Sequence, residues 1–253
     1  GDNVLTLACY EYASASWLED QDFWRLHGLF RSVELAAQPR VHVETVQIEA
    51  DYNPSMAAGT LNATLQLRNA NDAATVKAKL RDANGTVVWE STQCANETIT
   101  LNSGALKNIA PWSAEEPTLY ELTVLVVGHD GPLVEKIVQR IGFRTFRIED
   151  GIMKLNGKRV VFKGADRHEF DAKRGRAITR QDMIDDITFC KRHNINAIRT
   201  SHYPNAPIFV ELCDRYGFYV IDEADQECHG TINQYGEDAC FPQMPHDERF
   251  REA

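Results

Sequence analysis

An apolar strand pattern at Tyr219-Val220-Ile221 runs directly into Asp222-Glu223-Ala224-Asp225-Gln226-Glu227-Cys228-His229. Acids crowded at a strand exit repel one another and are costly to desolvate. Such a cluster is retained where it binds a cation, a polyhydroxylated ligand or both; a solvated acidic loop is the plainer reading of the same residues. Glu227 and His229 stand two apart, so in extended backbone they share a face while Cys228 points away. Two such ligands completed by waters describe an open Mg²⁺ or Mn²⁺ site, and no second pair of nitrogen or sulfur ligands is in view to favour zinc.

Two earlier segments end in the same manner. Asp166-Arg167-His168-Glu169 follows the apolar run Val160-Val161-Phe162-Lys163-Gly164, and Asn196-Ala197-Ile198 leads into Arg199-Thr200-Ser201-His202-Tyr203. In parallel α/β barrels function gathers at the C-terminal ends of the strands. Three successive exits rich in His, Arg and carboxylate are hard to explain by stability, because buried charges cost free energy unless paired. Taken singly, His168 also fits a satisfied core histidine, and Arg199 a partner for a core carboxylate. His193 lies beside Lys191 and Arg192 at a helix end, where cations suit the helix dipole, and is read as structural. An N-terminal loop interleaves Trp17, Phe23, Trp24 and Phe30 with Glu19, Asp20, Asp22, Arg25 and Arg31. Sugar sites use that mixture, with apolar C–H faces stacked on rings and carboxylates accepting hydroxyl protons. Packed domain interfaces use it too.

The elements that must position these residues can be read from periodicity. From about Val41 to Ile148 the pattern is all-β. Leu61, Ala63, Leu65 and Leu67 alternate with polar residues, as do Val76, Ala78 and Leu80, and Leu122, Val124 and Val126. Period two with one apolar face argues half-buried antiparallel strands. Asn84-Gly85 predicts a type I′ hairpin turn, and about seven short strands in about a hundred residues predict an immunoglobulin-like sandwich. Before it, Val4–Ala8 and Ser32–Leu35 are expected as strands, the end of another sandwich. After Glu149 the grammar changes. Asn156-Gly157 turns a hairpin between Ile152–Leu155 and Lys158–Lys163. Strand Val160–Gly164 then precedes a helix capped by Thr179 with Asp182 three residues on, whose apolar face is Met183, Ile187 and Cys190. Strand Asn196–Thr200 follows. Asn205 and Pro207 open a second helix that Gly217 closes, and Phe218–Glu223 is the third strand. Strand and helix in alternation mean parallel pairing. This is the beginning of a (β/α)8 barrel, which takes about 250 residues when complete; a doubly wound sheet is the alternative, without a G-x-G-x-x-G loop or P-loop to support it.

The 253 residues fit two domains and an ordinary core. The formal charge of −10 comes without any Lys/Arg cluster, so a nucleic-acid role is set aside. No apolar run approaches the ~20 residues of a membrane span. Gly1-Asp2-Asn3-Val4 does not open a signal peptide, and the chain is expected to begin inside a domain. The six cysteines (Cys9, Cys94, Cys190, Cys213, Cys228, Cys240) form no C-x-x-C pair and read as reduced thiols of a cytoplasmic protein. Sequons at Asn62, Asn84 and Asn96 carry little weight without a secretory context.

Several stretches together resemble a glycoside hydrolase family 2 β-galactosidase of the large bacterial type. They are Leu18–Trp24 with Gly28–Arg31, Pro111–Glu115 with Pro117–Tyr120, and Gly142-Phe143-Arg144. Leu155–Lys158, Gly164–Glu169, Arg199–Asn205 and Asp222-Glu223-Ala224 complete the set. The resemblance spans essentially the whole chain. It implies three parts: residues 1–40 as the last strands of a sugar-binding jelly roll, 41–147 as the immunoglobulin-like sandwich, and 148–253 as the N-terminal part of the catalytic barrel. It implies substrate contacts for Asp22, His168, Arg199 and His202, with Arg199 beside the nucleophile. Glu227 and His229 would be Mg²⁺ ligands, and Asp22 would lie at a Na⁺ site. It further implies a homo-oligomer in the complete enzyme and no membrane partner. Glucuronidases of the family share Ser-His-Tyr-Pro but lack the Glu-x-His after the third strand. The family's acid/base, in an Asn-Glu pair after a fourth barrel strand, and its nucleophile match no segment here, so this chain alone is expected to be inactive. Asp222, Glu223 and Glu227 are not promoted in their place. Alternative functions are a non-catalytic carbohydrate-binding or interaction module, and a related β-glucuronidase or β-mannosidase.

Overall fold

A computed structural model describes residues 3–12, 19–20, 24, 26, 28–225 and 227–228, with 19–20 and 227–228 described by their backbone. In chain order the strands are β1 (Glu19–Asp20), β2 (His42–Asn53), β3 (Ala58–Arg68), β4 (Thr75–Arg81), β5 (Val87–Cys94), β6 (Thr98–Lys107), β7 (Tyr120–Val127) and β8 (Leu133–Ile141). They continue with β9 (Phe146–Glu149), β10 (Ile152–Leu155), β11 (Lys158–Arg159), β12 (Gly164–Arg167), β13 (Ala197–Thr200), β14 (Tyr219–Ile221) and β15 (Glu227–Cys228). Two α-helices, α1 (Arg180–Arg192) and α2 (Pro207–Tyr216), lie among the described residues. Two compact units result: Leu35–Val161 with Asp214–Gly217, and Gly1–Glu34 with Phe162–Cys213 and Phe218–Ala253.

The first of these units is an antiparallel sandwich. One sheet has the order β2-β3-β6 and the other β5-β4-β7-β8, the seven-strand immunoglobulin-like layout expected from the alternation. Leu61, Ala63, Leu65 and Leu67 of β3, Val76, Ala78 and Leu80 of β4, and Leu122, Val124 and Val126 of β7 are all buried in one cluster. Every second residue therefore faces the opposite sheet, as period two requires. The turn at Asn84-Gly85 departs from the type I′ expectation, since only Gly85 has positive φ (83°). The Gly85 N–H donates to the Asp82 carbonyl at 3.0 Å, and the Asp82 carboxylate accepts from the N–H groups of Asn84 and Thr86 at 2.9 and 2.8 Å. The Asp82 side chain supplies the acceptors that start the turn earlier. Type I′ geometry occurs instead at Asn156-Gly157, with φ of 51° and 78°, between β10 and β11.

Family-matching residues knit this unit together. The Asn156 amide accepts from the Thr145 N–H and donates to the Trp112 carbonyl, both at 3.0 Å. The Trp112 N–H donates to the Phe143 carbonyl at 2.8 Å. Gly142 lies so close to the buried indole that an added Cβ would stand 2.8 Å from the Trp112 Cβ. A side chain there would displace Trp112 or the strand end.

The other unit carries three parallel strands in the order β12-β13-β14, with α1 and α2 in the connections. Met183 and Ile187 of α1, Ile198 of β13, Phe209, Leu212 and Cys213 of α2, and Phe218 form its core. The first barrel strand begins at Gly164 rather than Val160, because its partner β13 begins only at Ala197. A ladder exists only where a neighbour supplies donors and acceptors. Lys163 is the last residue before it, held by Asn196 through two hydrogen bonds of 2.8 and 2.9 Å. The same rule accounts for Val4–Ala8 and Ser32–Leu35, which are not strands. Among the described residues nothing pairs with them, and Val4 and Leu5 are exposed. The N-terminal segment contributes β1 instead, parallel to β15 with Glu19 opposite Glu227.

Both helices end as their sequences require. Pro207 is the first residue of α2, Gly217 takes φ 76°, and the Phe218 N–H donates to the Cys213 carbonyl at 2.9 Å, the longer bond of a Schellman motif. His193 caps α1 with its N–H on the Cys190 and Lys191 carbonyls, and its Nδ1 is 2.8 Å from the Phe189 carbonyl, a structural role. At the other end of α1, Thr179 Oγ1 accepts from the Asp182 N–H, while the Asp182 carboxylate accepts from the Thr179 N–H at 2.6 Å and from its hydroxyl at 2.7 Å.

These Thr179 hydrogen bonds, with the Arg174 guanidinium beside them, lower the Asp182 carboxyl from 3.8 to about 2. A depressed folded-state value means the carboxylate's stabilisation is complete above 3.8 and is lost as pH falls through about 2. A carboxyl NMR titration is expected to give Asp182 a midpoint near 2. Thr179→Ala should raise that midpoint and cost about 1 kcal/mol in denaturant unfolding.

Candidate functional site

The register of the parallel strands sorts the charged residues onto two faces. Asp166 pairs with Arg199 and Arg199 with Ile221, while Arg167 pairs with Thr200. Successive residues alternate sides. Arg167 and Thr200 therefore share the face of Ile198, which packs on the helices, and both are buried. Asp166 and Arg199 share the other face.

Arg199 is the hub of that other face. Its Nε donates to Glu223 Oε1 at 2.5 Å, its Nη2 also pairs with Glu223 Oε1, and its Nη1 lies 3.4 Å from Asp166 Oδ2. Hydrogen bonding to Glu223 raises the guanidinium further above its ordinary value, so it stays charged. His202 Nδ1 stands 3.3 Å from Glu223 Oε2 and 3.4 Å from Arg199 Nη2. The His202 ring meets the His168 ring edge-on, with centroids 5.5 Å apart. The peptide between Ser201 and His202 is cis. Thr200 Oγ1 accepts from the Glu223 N–H at 2.9 Å and lies 3.1 Å from Asp222 Oδ1, to which it donates. The exit of β13 is thereby tied to the exit of β14.

Beneath this cluster lies a buried ionic core. Glu169 is only 2% exposed. Its Oε2 accepts from Arg31 Nη2 at 2.9 Å, its Oε1 accepts from the Ala206 N–H at 2.7 Å, and Arg167 Nη1 is 4.0 Å from Oε1. Its own N–H donates to the Tyr203 hydroxyl at 3.0 Å. Burial pushes the Tyr203 phenol up, so it stays protonated at neutral pH. Arg167 donates in turn to Asn205 Oδ1 at 2.5 Å and Asp186 Oδ2 at 2.9 Å, and its guanidinium lies 4.1 Å over the Phe209 ring. Arg176 lies over the rings of Phe30 and Tyr203 at 4.1 and 4.6 Å.

Of the sequence-derived site residues, His168, Arg199 and His202 come together here. The backbone of Glu227 lies in β15 beside β1; extended backbone is what its two-residue spacing from His229 needs to bring two ligands to one cation. Asp22 and His229 lie outside the described residues, and among the described residues no group of three His, Cys, Asp or Glu side chains is placed to hold a metal. Cys9, Cys94 and Cys190 are free thiols. Among the described residues no helix is long and apolar enough to cross a membrane. Sequence reasoning gave no individual role to Glu223, Glu169, Arg31 or Thr200. The acids of Asp222-Glu223 stood out only as part of a crowd, and Thr200 and Arg31 gave no signal beyond the motifs that contain them.

Comparison with known proteins identifies the family. The model described as glycosyl hydrolases family 2 matches residues 41–144, and the family's TIM barrel domain model matches residues 146–253. Beta-galactosidase BgaC of Bifidobacterium adolescentis is 70% identical over 235 residues, covering 91% of this chain and 22% of that protein. The beta-galactosidase of Streptococcus thermophilus is 50% identical over 238 residues, covering 93% of this chain and 23% of the relative. Among solved structures, beta-glucuronidase 3 of Bacteroides uniformis is similar with a TM-score of 0.75 and 29% identity, over 82% of this chain and 26% of that one. The chain spans about a quarter of the length of the curated relatives it matches most strongly.

The buried core predicts an asymmetry between two neighbouring acids. Glu169→Ala removes the acceptor of the Ala206 N–H and a partner of Arg31, and should cost about 1–3 kcal/mol in denaturant unfolding. Asp166→Ala, at a side chain 64% exposed, should stay within about 0.5 kcal/mol.

Proposed function

The chain belongs to glycosyl hydrolase family 2, and on that footing we propose that it supplies the sugar- and metal-binding part of a retaining β-galactosidase. The substrates are terminal β-D-galactosides such as lactose. The observation that carries the reading is the convergence of His168, Arg199 and His202 at the exits of adjacent parallel strands, where barrel enzymes bind their substrates. A neutral imidazole there offers one donor and one acceptor to sugar hydroxyls, and the guanidinium offers donors. The names of the most similar curated relatives support a galactoside. The β-glucuronidase names of the similar structures make a glucuronide the second reading. Glu227-x-His229, which the glucuronidases lack, weighs against it.

Each residue has a definite task in this reading. Arg199, held between Glu223 and Asp166, presents a fixed positive charge to the reacting end of the sugar. His168 and His202 contact its hydroxyls. Asp22 reads a further hydroxyl and joins a Na⁺ site. Glu227 and His229 would hold Mg²⁺, which supplies positive charge near the site when bound. Retaining hydrolysis needs an acid/base and a nucleophile about 5–5.5 Å apart. The family's positions for both match no residue of this sequence, and Glu223 is already engaged by Arg199. The chain by itself is therefore proposed to bind and position rather than turn over. Cytoplasmic residence and homo-oligomeric assembly belong to the same proposal.

The test is an assay of the full-length gene product on paired aryl β-galactoside and β-glucuronide substrates, with the product anomer read by NMR. The expected result is galactose released first as the β anomer; turnover of the glucuronide alone would replace this reading with the second. Glu227→Gln should raise the Mg²⁺ concentration for half-maximal activity at least about tenfold, as losing a ligand should outweigh losing its outer-shell support. An unchanged metal dependence would remove the ligand assignment.

A further inference from the structure

Glu223 is placed to serve two site residues at once. Its main-chain N–H is held by Thr200 Oγ1 at 2.9 Å, and its Oε1 takes Arg199 Nε at 2.5 Å. The remaining oxygen, Oε2, is buried and has no hydrogen bond among the described residues, yet His202 Nδ1 stands 3.3 Å from it. Three residues of the β13 exit therefore meet on one residue beyond β14: Arg199 at the carboxylate, Thr200 at the backbone, and His202 at the second oxygen.

Two neighbours make opposite demands on His202 Nδ1. A carboxylate only accepts hydrogen bonds and a guanidinium only donates them. Glu223 Oε2 at 3.3 Å asks for a proton on Nδ1; Arg199 Nη2 at 3.4 Å asks for a lone pair there. The guanidinium has other acceptors, in Glu223 Oε1 and Asp166. A buried carboxylate oxygen left without a donor costs the desolvation of a charged acceptor. Satisfying Oε2 is therefore the stronger demand, and it favours a proton on Nδ1, which a small turn of the ring would aim at Oε2. His202 then keeps its Nε2 lone pair for a ligand, with the side chain 23% exposed.

We propose that Glu223 is a positioning residue that fixes the Nδ1–H tautomer and ring orientation of His202 while aiming Arg199, so that His202 offers Nε2 as an acceptor to a sugar hydroxyl. The inference rests on the galactoside reading of this site and deepens it. A bare ion pair with Arg199 would leave the histidine indifferent to Glu223. In Glu223→Gln the amide can keep its oxygen on Arg199 and turn its N–H toward Nδ1, which moves the histidine proton to Nε2. Glu223→Asp keeps the charge and withdraws the carboxylate by one methylene.

The experiment uses the full-length gene product with ¹⁵N-labelled histidine, at a pH where the ring is neutral, and a His202→Asn variant to assign the signals. The expected wild-type spectrum shows a protonated Nδ1 and an unprotonated Nε2 for His202, and Glu223→Gln exchanges them. The same variant should lower kcat on an aryl galactoside about 100-fold, the scale of a misaligned catalytic group, with KM moving less than about threefold. Glu223→Asp should lose kcat to a smaller degree and retain the wild-type tautomer. A wild-type ring protonated at Nε2, or a Glu223→Gln enzyme with an unaltered His202 spectrum, overturns the proposal. If Glu223→Gln does not fold, the wild-type spectrum together with Glu223→Asp decides the matter. Absence of galactoside turnover by the wild type would instead remove the substrate reading, and the spectra would still judge the positioning role.

Discussion

A carboxylate withdrawn from water imposes the main constraint on the parallel unit. Glu169 is nearly inaccessible, and an ion in that position is tolerated only if its charge is matched and its lone pairs are filled. Arg31 comes from the N-terminal segment, the Ala206 N–H from the turn into α2, and Arg167 from β12. The N–H at the start of α2 also offers the favourable end of a helix dipole to a negative charge. Each partner is thus fixed by the requirement to stay on Glu169. The loop from Ser201 to Ala206, which carries His202, is held at both its Tyr203 and Ala206 positions by this one residue.

The strand register converts that buried core into a site. On one face Arg167 and Thr200 turn toward the helices and satisfy the interior. On the other, Asp166 and Arg199 stand side by side and Glu223 reaches back to join them. The structural ion pair of Arg199 is compatible with the substrate-facing role proposed for it. Two carboxylates hold the guanidinium charged and directed before any ligand arrives, the kind of preorganisation that makes electrostatic stabilisation effective. The positions of His168 and His202, on the turns after adjacent strands, follow from the same pairing.

The family's recognition motifs do different work in the two units. Trp112, Gly142 and Asn156 lie in the sandwich and secure turns and close backbone approaches. Gly164–Glu169 and Arg199–Asn205 lie in the parallel unit and combine strand register with polar chemistry. A motif can therefore identify the family through backbone geometry alone, while the polar residues of the candidate site come from the other set.

Much of this was legible in the residues themselves. Alternation placed Leu61 to Leu67 and Leu122 to Val126 in a sandwich core, since a strand must turn every second side chain the same way. Thr179 with Asp182, Pro207 and Gly217 marked helix ends, because backbone groups at those ends need local partners or a particular φ. What failed depended on a partner distant in sequence. Val160–Phe162 and Val4–Ala8 have strand composition but join no β-ladder among the described residues. Asn84-Gly85 had the residues of one turn and adopted another, because Asp82 captured its amides. By itself, then, the sequence determined which residues could do chemistry, that they stand at strand exits, and which elements carry them. Only the tertiary structure decided that Glu169 is an interior ion with Arg31 as its counterion, and that Glu223 belongs to both Arg199 and His202. Those pairings close across 21 to 138 residues of chain, where neither spacing nor propensity carries information and only the packed register brings opposite charges within reach.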